Sequence, residues 1–170
     1  MKNKLILLLL LPIILFANLL EDFEAKDYNK ICTYQNYVLY KNHPKALSLI
    51  GFACVKTDNL FLIPIISYHL RYTKTGRKNG IYFLTLVLEK RLIYSYFFDN
   101  DKSIYYFDFP KTDYFLSEIF YDIKHNKIKK TQNLYIIQQK NMTYQIYKKG
   151  TFLVIDEIKN DKLIKRHLFR

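Results

Sequence analysis

The chain has 170 residues, 27 Lys or Arg against 15 Asp or Glu, a formal net charge of +12, and only four glycines and two cysteines. That length suits one domain, or a helical array with an appendage, and so few glycines leave little material for phosphate-cradling loops. The basic balance is weak evidence for nucleic acid, because the abundant residues Lys, Asn, Ile, Tyr and Phe share AT-rich codons.

At the start, "MKNKLILLLLLPIILFANLLEDF", two lysines precede an apolar run from Leu5 to Ala17 that ends in a small residue before Glu21 and Asp22. This is the layout of a secretory signal peptide, and the run falls short of the roughly 20 apolar residues that cross a bilayer. Cleavage near Ala17 is expected, with a periplasmic destination. No cysteine follows the small residue, which argues against a lipid anchor. Export would separate the protein from DNA and RNA, so no nucleic-acid partner is expected. Anionic envelope lipid, cell-wall polymer or an acidic protein remain as electrostatic partners.

From Asp27 to Lys41, the apolar residues Tyr28, Ile31, Tyr34, Val38 and Leu39 recur at helical spacing. His43-Pro44 ends that helix, since the residue before proline is driven out of the helical region. "ALSLIGFACVK" then resumes helical spacing through Leu47, Ile50, Cys54 and Val55. Two helices joined by so short a link fold back antiparallel, and residues equidistant from the turn then face each other. Cys32 and Cys54 are equidistant from His43. Their pairing reads as one structural disulfide in an oxidising compartment. A redox-active pair is the alternative, but such pairs favour C-x-x-C at a helix start.

Aligning "AKDYNKI", "KTDNLFLI" and "LEKRLIYSY" places Tyr28, Leu60 and Leu92 in register, each opening an apolar run after a polar break. The same spacing groups Leu19, Gly51 and Phe83. Periods of this length mark stacked helix pairs. Here the chain resembles tetratricopeptide or Sel1-like repeats over residues 18–105. "KDYNKICTYQNYVLYKNHP" is similar to the second helix of a unit, and "ALSLIGFACVKTDN" to the first helix of the next, with Gly51 permitting close helix approach. The period is shorter than the usual one, and Ile31 stands where the family carries a small residue. The resemblance implies a concave groove lined by Leu20, Phe23, Lys45, Phe52, Val55, Lys56, Leu84 and Val87, which would hold a peptide or partner helix. A non-repetitive helical bundle is the alternative, as is a groove filled by the chain's own C-terminal segment.

After the loop "DNDKSIYYFDFP", Thr112 or Asp113 can cap a helix through "YFLSEIFYDIKH" with an apolar stripe at Phe115, Ile119, Phe120 and Ile123. The periodicity then changes to four short segments, "NLYIIQQ", "MTYQIYKK", "TFLVIDEI" and "KLIKRHLF". They are separated at Lys140-Asn141, Lys149-Gly150 and Asn160-Asp161, as antiparallel strands joined by hairpins would be. One face is expected to pack on helices and the other to bear Lys148, Lys159 and Lys165.

His43, His69, His125 and His167 are scattered, without H-E-x-x-H or C-x-x-C, and read as surface or capping residues. "DNDKS" opens like a calcium loop but carries Ile104 and Pro110 where glycine and glutamate belong. No catalytic motif and no cofactor site is found. The expectation is an α+β protein: a signal peptide at 1–17, a helical-hairpin region at 18–125, and a docked β-meander at 126–170. It is expected to serve as a non-enzymatic periplasmic interaction or scaffold module that binds another envelope protein. The alternatives are weak anionic membrane or cell-wall contact through the basic C-terminal face, and an envelope hydrolase with an unfamiliar site.

Overall fold

The computed structural model of the protein describes residues 18–132 and 134–170. The signal-peptide reading of residues 1–17 lies outside the described residues. The architecture is α+β, helices first and a C-terminal antiparallel sheet second. The helices are α1 (18–24), α2 (Tyr28–Ile31), α3 (Tyr34–Tyr40), α4 (Pro44–Lys56), α5 (Ile63–Leu70), α6 (Lys74–Phe98) and α7 (Phe115–Lys124). A short 3-10 turn covers Ser103–Tyr106. Five strands follow: β1 (Lys129–Thr131), β2 (Leu134–Gln138), β3 (Thr143–Lys149), β4 (Phe152–Lys159) and β5 (Lys162–Phe169). The chain divides into two compact units at Leu84/Thr85, inside α6, and the change from helix to sheet falls between Lys124 and Lys129.

In the first unit the helix expected over Asp27–Lys41 is two helices. The Thr33 hydroxyl accepts from the Asn36 N–H at 3.1 Å and starts α3 afresh, satisfying an end donor that a continuous helix would not expose. This restart shifts the phase of everything after it. Tyr37 and Tyr40 are buried, whereas Tyr34, Val38 and Leu39 are exposed, contrary to the expected stripe. Pro44 occupies the first turn of α4, where its missing N–H costs nothing. The buried side of α4 is Leu47, Ile50, Cys54 and Val55, as its spacing suggested.

Cys32 and Cys54 are disulfide-bonded, with Cα atoms 4.9 Å apart, inside the range an unforced bridge requires. One turn before Cys54 on α4, Gly51 lies against Phe83 so closely that an added Cβ would stand 2.4 Å from the ring's Cε2. Phe52 packs edge-on to the same ring at 5.0 Å, and Asn79 Nδ2 donates to Ser48 Oγ at 2.9 Å. Gly51 therefore performs the close helix approach expected of it. The polar break expected before Leu92 does not occur, because Leu92 lies inside the uninterrupted α6.

In the second unit the strands form a meander in the order β1-β2-β3-β4-β5. The last four match the expected segments, and β1 is additional. Asn160 and Asp161 both take positive φ, the geometry a two-residue hairpin turn demands. Cross-strand register puts Ile137, Tyr144, Ile146, Leu153, Ile155, His167 and Phe169 on one face. That face meets α7 through Phe115, whose ring lies 4.0 Å from His167, and meets the end of α6 through Phe97 against Tyr135 at 4.7 Å. By the same register Lys148, Lys159 and Lys165 belong to this packed face, at its exposed rim, and not to the opposite one. Lys148 reaches the Phe98 carbonyl oxygen at 3.3 Å and hovers over that residue's ring. The opposite face carries Leu134, Ile136, Tyr147, Val154, Leu168 and the Asp156–Arg166 ion pair.

Candidate interaction surface

Helix α5 is apolar all round, which a single buried stripe does not require. Its inward side, Leu62, Ile63, Ile66 and Leu70, fills the core of the first unit. The outward side of the helix shows Ile65 and Tyr68, Phe61 lies two residues before its start and Tyr72 two residues after its end, and all four are exposed, Phe61 at 86% and Tyr72 at 68%. A row of large side chains left in water by an otherwise well-buried helix marks a candidate contact surface.

The row is tied to α3 by a chain of ring contacts. Tyr34 lies 5.6 Å from Tyr37, Tyr37 lies 5.8 Å from His69, and His69 stands edge-on to Tyr68 at 5.3 Å. The buried Tyr37 hydroxyl also meets His69 Nε2 at 3.2 Å, and burial raises its pKa. Tyr37 thus anchors the ladder while Tyr34 and Tyr68 present it. At the other end the Arg71 guanidinium sits 3.9 Å above the Tyr68 ring and 4.7 Å from that of Tyr72, and donates to the Tyr72 hydroxyl. Arg71 is held in place from behind, its carbonyl accepting from Arg77 Nη1 at 3.0 Å. From Asn59 to Leu88 the sequence contains no acidic residue, while Arg71, Lys74, Arg77 and Lys78 are all present. Sequence reasoning missed this surface, although the all-round apolar character of "FLIPIISYHL" was a usable signal.

The groove residues expected from the repeat resemblance fare differently. Leu20, Lys45, Lys56 and Leu84 are exposed, and Phe23 is half-buried. Phe52 is engaged with Tyr82 and Phe83, and Val55 is buried in the first unit's core. Val87 is buried in the second unit. Val55 and Val87 are therefore packing residues and cannot line an open groove.

The second unit holds polar chemistry of another kind. Glu89 is 1% exposed. Its Oε1 accepts from Ser117 Oγ at 2.6 Å, Ser117 Oγ in turn accepts from the Thr112 N–H at 3.0 Å, and Glu89 Oε2 has no hydrogen-bond partner among the described residues. Burial pushes the Glu89 carboxyl up to about 7, against a smaller opposing effect of the Ser117 bond. Tyr114, not Thr112 or Asp113, is the N-cap of α7, and Ser117 takes up the Thr112 N–H instead. His43 and His125 flank helices as N-cap and C-cap residues. His167 is neither surface nor cap: it is buried, stacked on Phe115, with Nε2 3.1 Å from Glu157 Oε1. Ser117 is bound to the Glu89 carboxyl and to a backbone N–H, and these bonds tie α7 to α6. Among the described residues no three His, Cys, Asp or Glu side chains gather to hold a metal ion, and no helix is long and apolar enough to cross a membrane.

No family model matches the chain, and neither a curated protein nor a solved structure matches it.

Proposed function

We propose that the protein is a non-enzymatic interaction module of the cell envelope, exported to the periplasm, that binds another envelope protein through the α3–α5 aromatic face. The observation that carries this reading is the ladder Tyr34–Tyr37–His69–Tyr68–Arg71–Tyr72, continued by exposed Phe61 and Ile65. Tyrosine and arginine are the residues that dominate binding energy at protein interfaces, while Lys, Glu and Asp are depleted there. Rings pre-stacked on one another lose little freedom on binding. The acid-free run from Asn59 to Leu88 selects a partner with a carboxylate-bearing surface, because Arg71 offers a planar fork to carboxylates. The disulfide supports an oxidising compartment.

The test is affinity capture from envelope extracts with wild-type protein and with the Tyr68→Ser/Tyr72→Ser double variant. A defined partner should be recovered by the wild type and lost by the variant, with circular dichroism of the two unchanged. Equal recovery by both would remove this face from the function.

A further inference from the structure

We propose that the second unit carries a separate docking surface for anionic lipid, centred on Tyr121 in the last turns of α7. Tyr121 is exposed and its ring stacks on His125 at 3.9 Å. The ammonium groups of Lys127 and Lys111 approach that ring at 5.2 and 5.7 Å from its centroid. Lys124 donates to the Phe107 carbonyl oxygen at 2.7 Å and pairs with Asp108, which fixes the exposed Phe107 alongside. Its neighbour Tyr106 is 83% exposed. Cations thus converge from three segments: Lys111 before α7, Lys124 within its last turn, and Lys127 after it. Exposed Lys129 and Lys130 follow immediately in the chain.

The acids that face this cluster offset it only in part, since Asp122 lies within electrostatic reach of Lys127 and Lys111 while Lys129 and Lys130 add to the positive side. Asp108 is taken up by Lys124, and Asp122 is buried beneath with Gln139 donating to it. Cations at a helix C-terminus are favourable for the helix alone, but that leaves the exposed Phe107 and Tyr121 without a reason to sit beside them. A bilayer interface supplies both halves of the match, phosphates for the ammonium groups and a headgroup layer in which aromatic rings settle. Every cation of the patch is lysine, a point charge suited to phosphate, whereas the α5 face uses arginine. Contact would be peripheral, since none of the described helices can cross a membrane. The α5 face takes no part, so each reading can fail alone.

The experiment is co-sedimentation of the purified protein, disulfide intact, with phosphatidylcholine vesicles and with vesicles containing phosphatidylglycerol as well. Binding is expected only to the anionic vesicles, declining as salt rises from about 0.1 to about 1 M. Lys111→Gln/Lys127→Gln should weaken it by about five-fold for each charge removed, and Tyr106→Ser should weaken it further. Lys159→Gln/Lys162→Gln, which removes the same charge from the β4–β5 hairpin, should leave binding as it was. Equal sedimentation with neutral vesicles overturns the proposal, as does an equal loss in the hairpin variant, which would reduce the effect to net charge. Binding to isolated cell-wall sacculi but to neither vesicle overturns it in favour of a polymer.

Discussion

Replacing Glu89 by glutamine tests the least expected feature of the second unit, a buried carboxyl with one oxygen unpartnered among the described residues. Burial raises its pKa from the ordinary 4.5 to about 7, so the folded state binds this proton more tightly than the unfolded chain does. Its contribution is therefore intact below about pH 4.5 and is lost progressively up to about pH 7, after which the penalty stays constant. Every tenfold gain in proton affinity is worth about 1.4 kcal/mol, so the rise from 4.5 to about 7 corresponds to a loss of about 3 kcal/mol. Glu89→Gln keeps the shape and the acceptor for Ser117 but cannot ionise. Urea unfolding of both proteins, followed by near-ultraviolet circular dichroism of the tyrosines because the chain has no tryptophan, measures the difference at each pH. Every other titrating group is common to the two proteins and cancels in that difference. The variant should equal the wild type near pH 4 and exceed it by about 3 kcal/mol at pH 8. A stability difference that does not change between those two pH values would refute the argument that Glu89 is protonated by burial.

Reduction of the disulfide, or Cys32→Ala/Cys54→Ala, should cost about 3 kcal/mol by releasing the loop it closes, read as a lower urea midpoint in the oxidised-versus-reduced comparison. Gly51→Ala drives a methyl group into the Phe83 ring and should cost about 1–3 kcal/mol; Phe83→Leu in the same chain should recover part of that loss, so the double-mutant cycle must be non-additive. Arg166 donates twice to the buried Asp156, at 2.7 and 2.8 Å, which holds the Asp156 carboxyl below the usual carboxylate range. Asp156→Asn should cost about 1–2 kcal/mol at neutral pH, and the cost should vanish as pH falls through the folded pKa, where the wild type loses the same interaction. Thr33→Ala removes the α3 cap and should cost about 1 kcal/mol, visible as faster amide exchange at Asn36.

Helix α4 was legible because its signals are local: proline at its start, apolar residues at one phase throughout, and no competing cap within it. The cysteine pairing was legible because the chain has only two cysteines, although Cys32 lies at the end of α2, beyond the break before α3, and not on the helix that turns into α4. The segment before it failed on phase. Tyr34 and Val38 continue the spacing of Tyr28 and Ile31 only if the helix is unbroken, and one threonine hydroxyl breaks it. The polar triplet Glu89-Lys90-Arg91 failed in the opposite sense: it reads as a break, yet Glu89 turns inward to Ser117 while Arg91 stays in water, so α6 runs on. The signal was present, because Glu89 is the only acid between Asp58 and Asp99, and a lone acid inside an apolar helical run is either a break or a buried partner. Strand β1 has no pattern of its own and exists by pairing with β2.

The α5 surface escaped the sequence for a physical reason. Periodicity reports that side chains share a face, and it does so equally for Leu62, Ile66 and Leu70, which are buried, and for Phe61, Ile65, Tyr68 and Tyr72, which are not. Hydrophobic burial is proportional to area and indifferent to aromatic detail, so it assigns neither row to the core by itself. What separates them is the second layer, in which Tyr37 and His69 hydrogen-bond and leave Tyr68 and Arg71 stacked in water. A face whose rings are braced from beneath by a buried hydroxyl is held ready for a partner; one whose rings merely lack cover is not. Breaking the brace with Tyr37→Phe, which removes the hydroxyl and keeps the ring, should therefore weaken partner capture while leaving the exposed row chemically unaltered, and capture undiminished in that variant would show that exposure alone suffices.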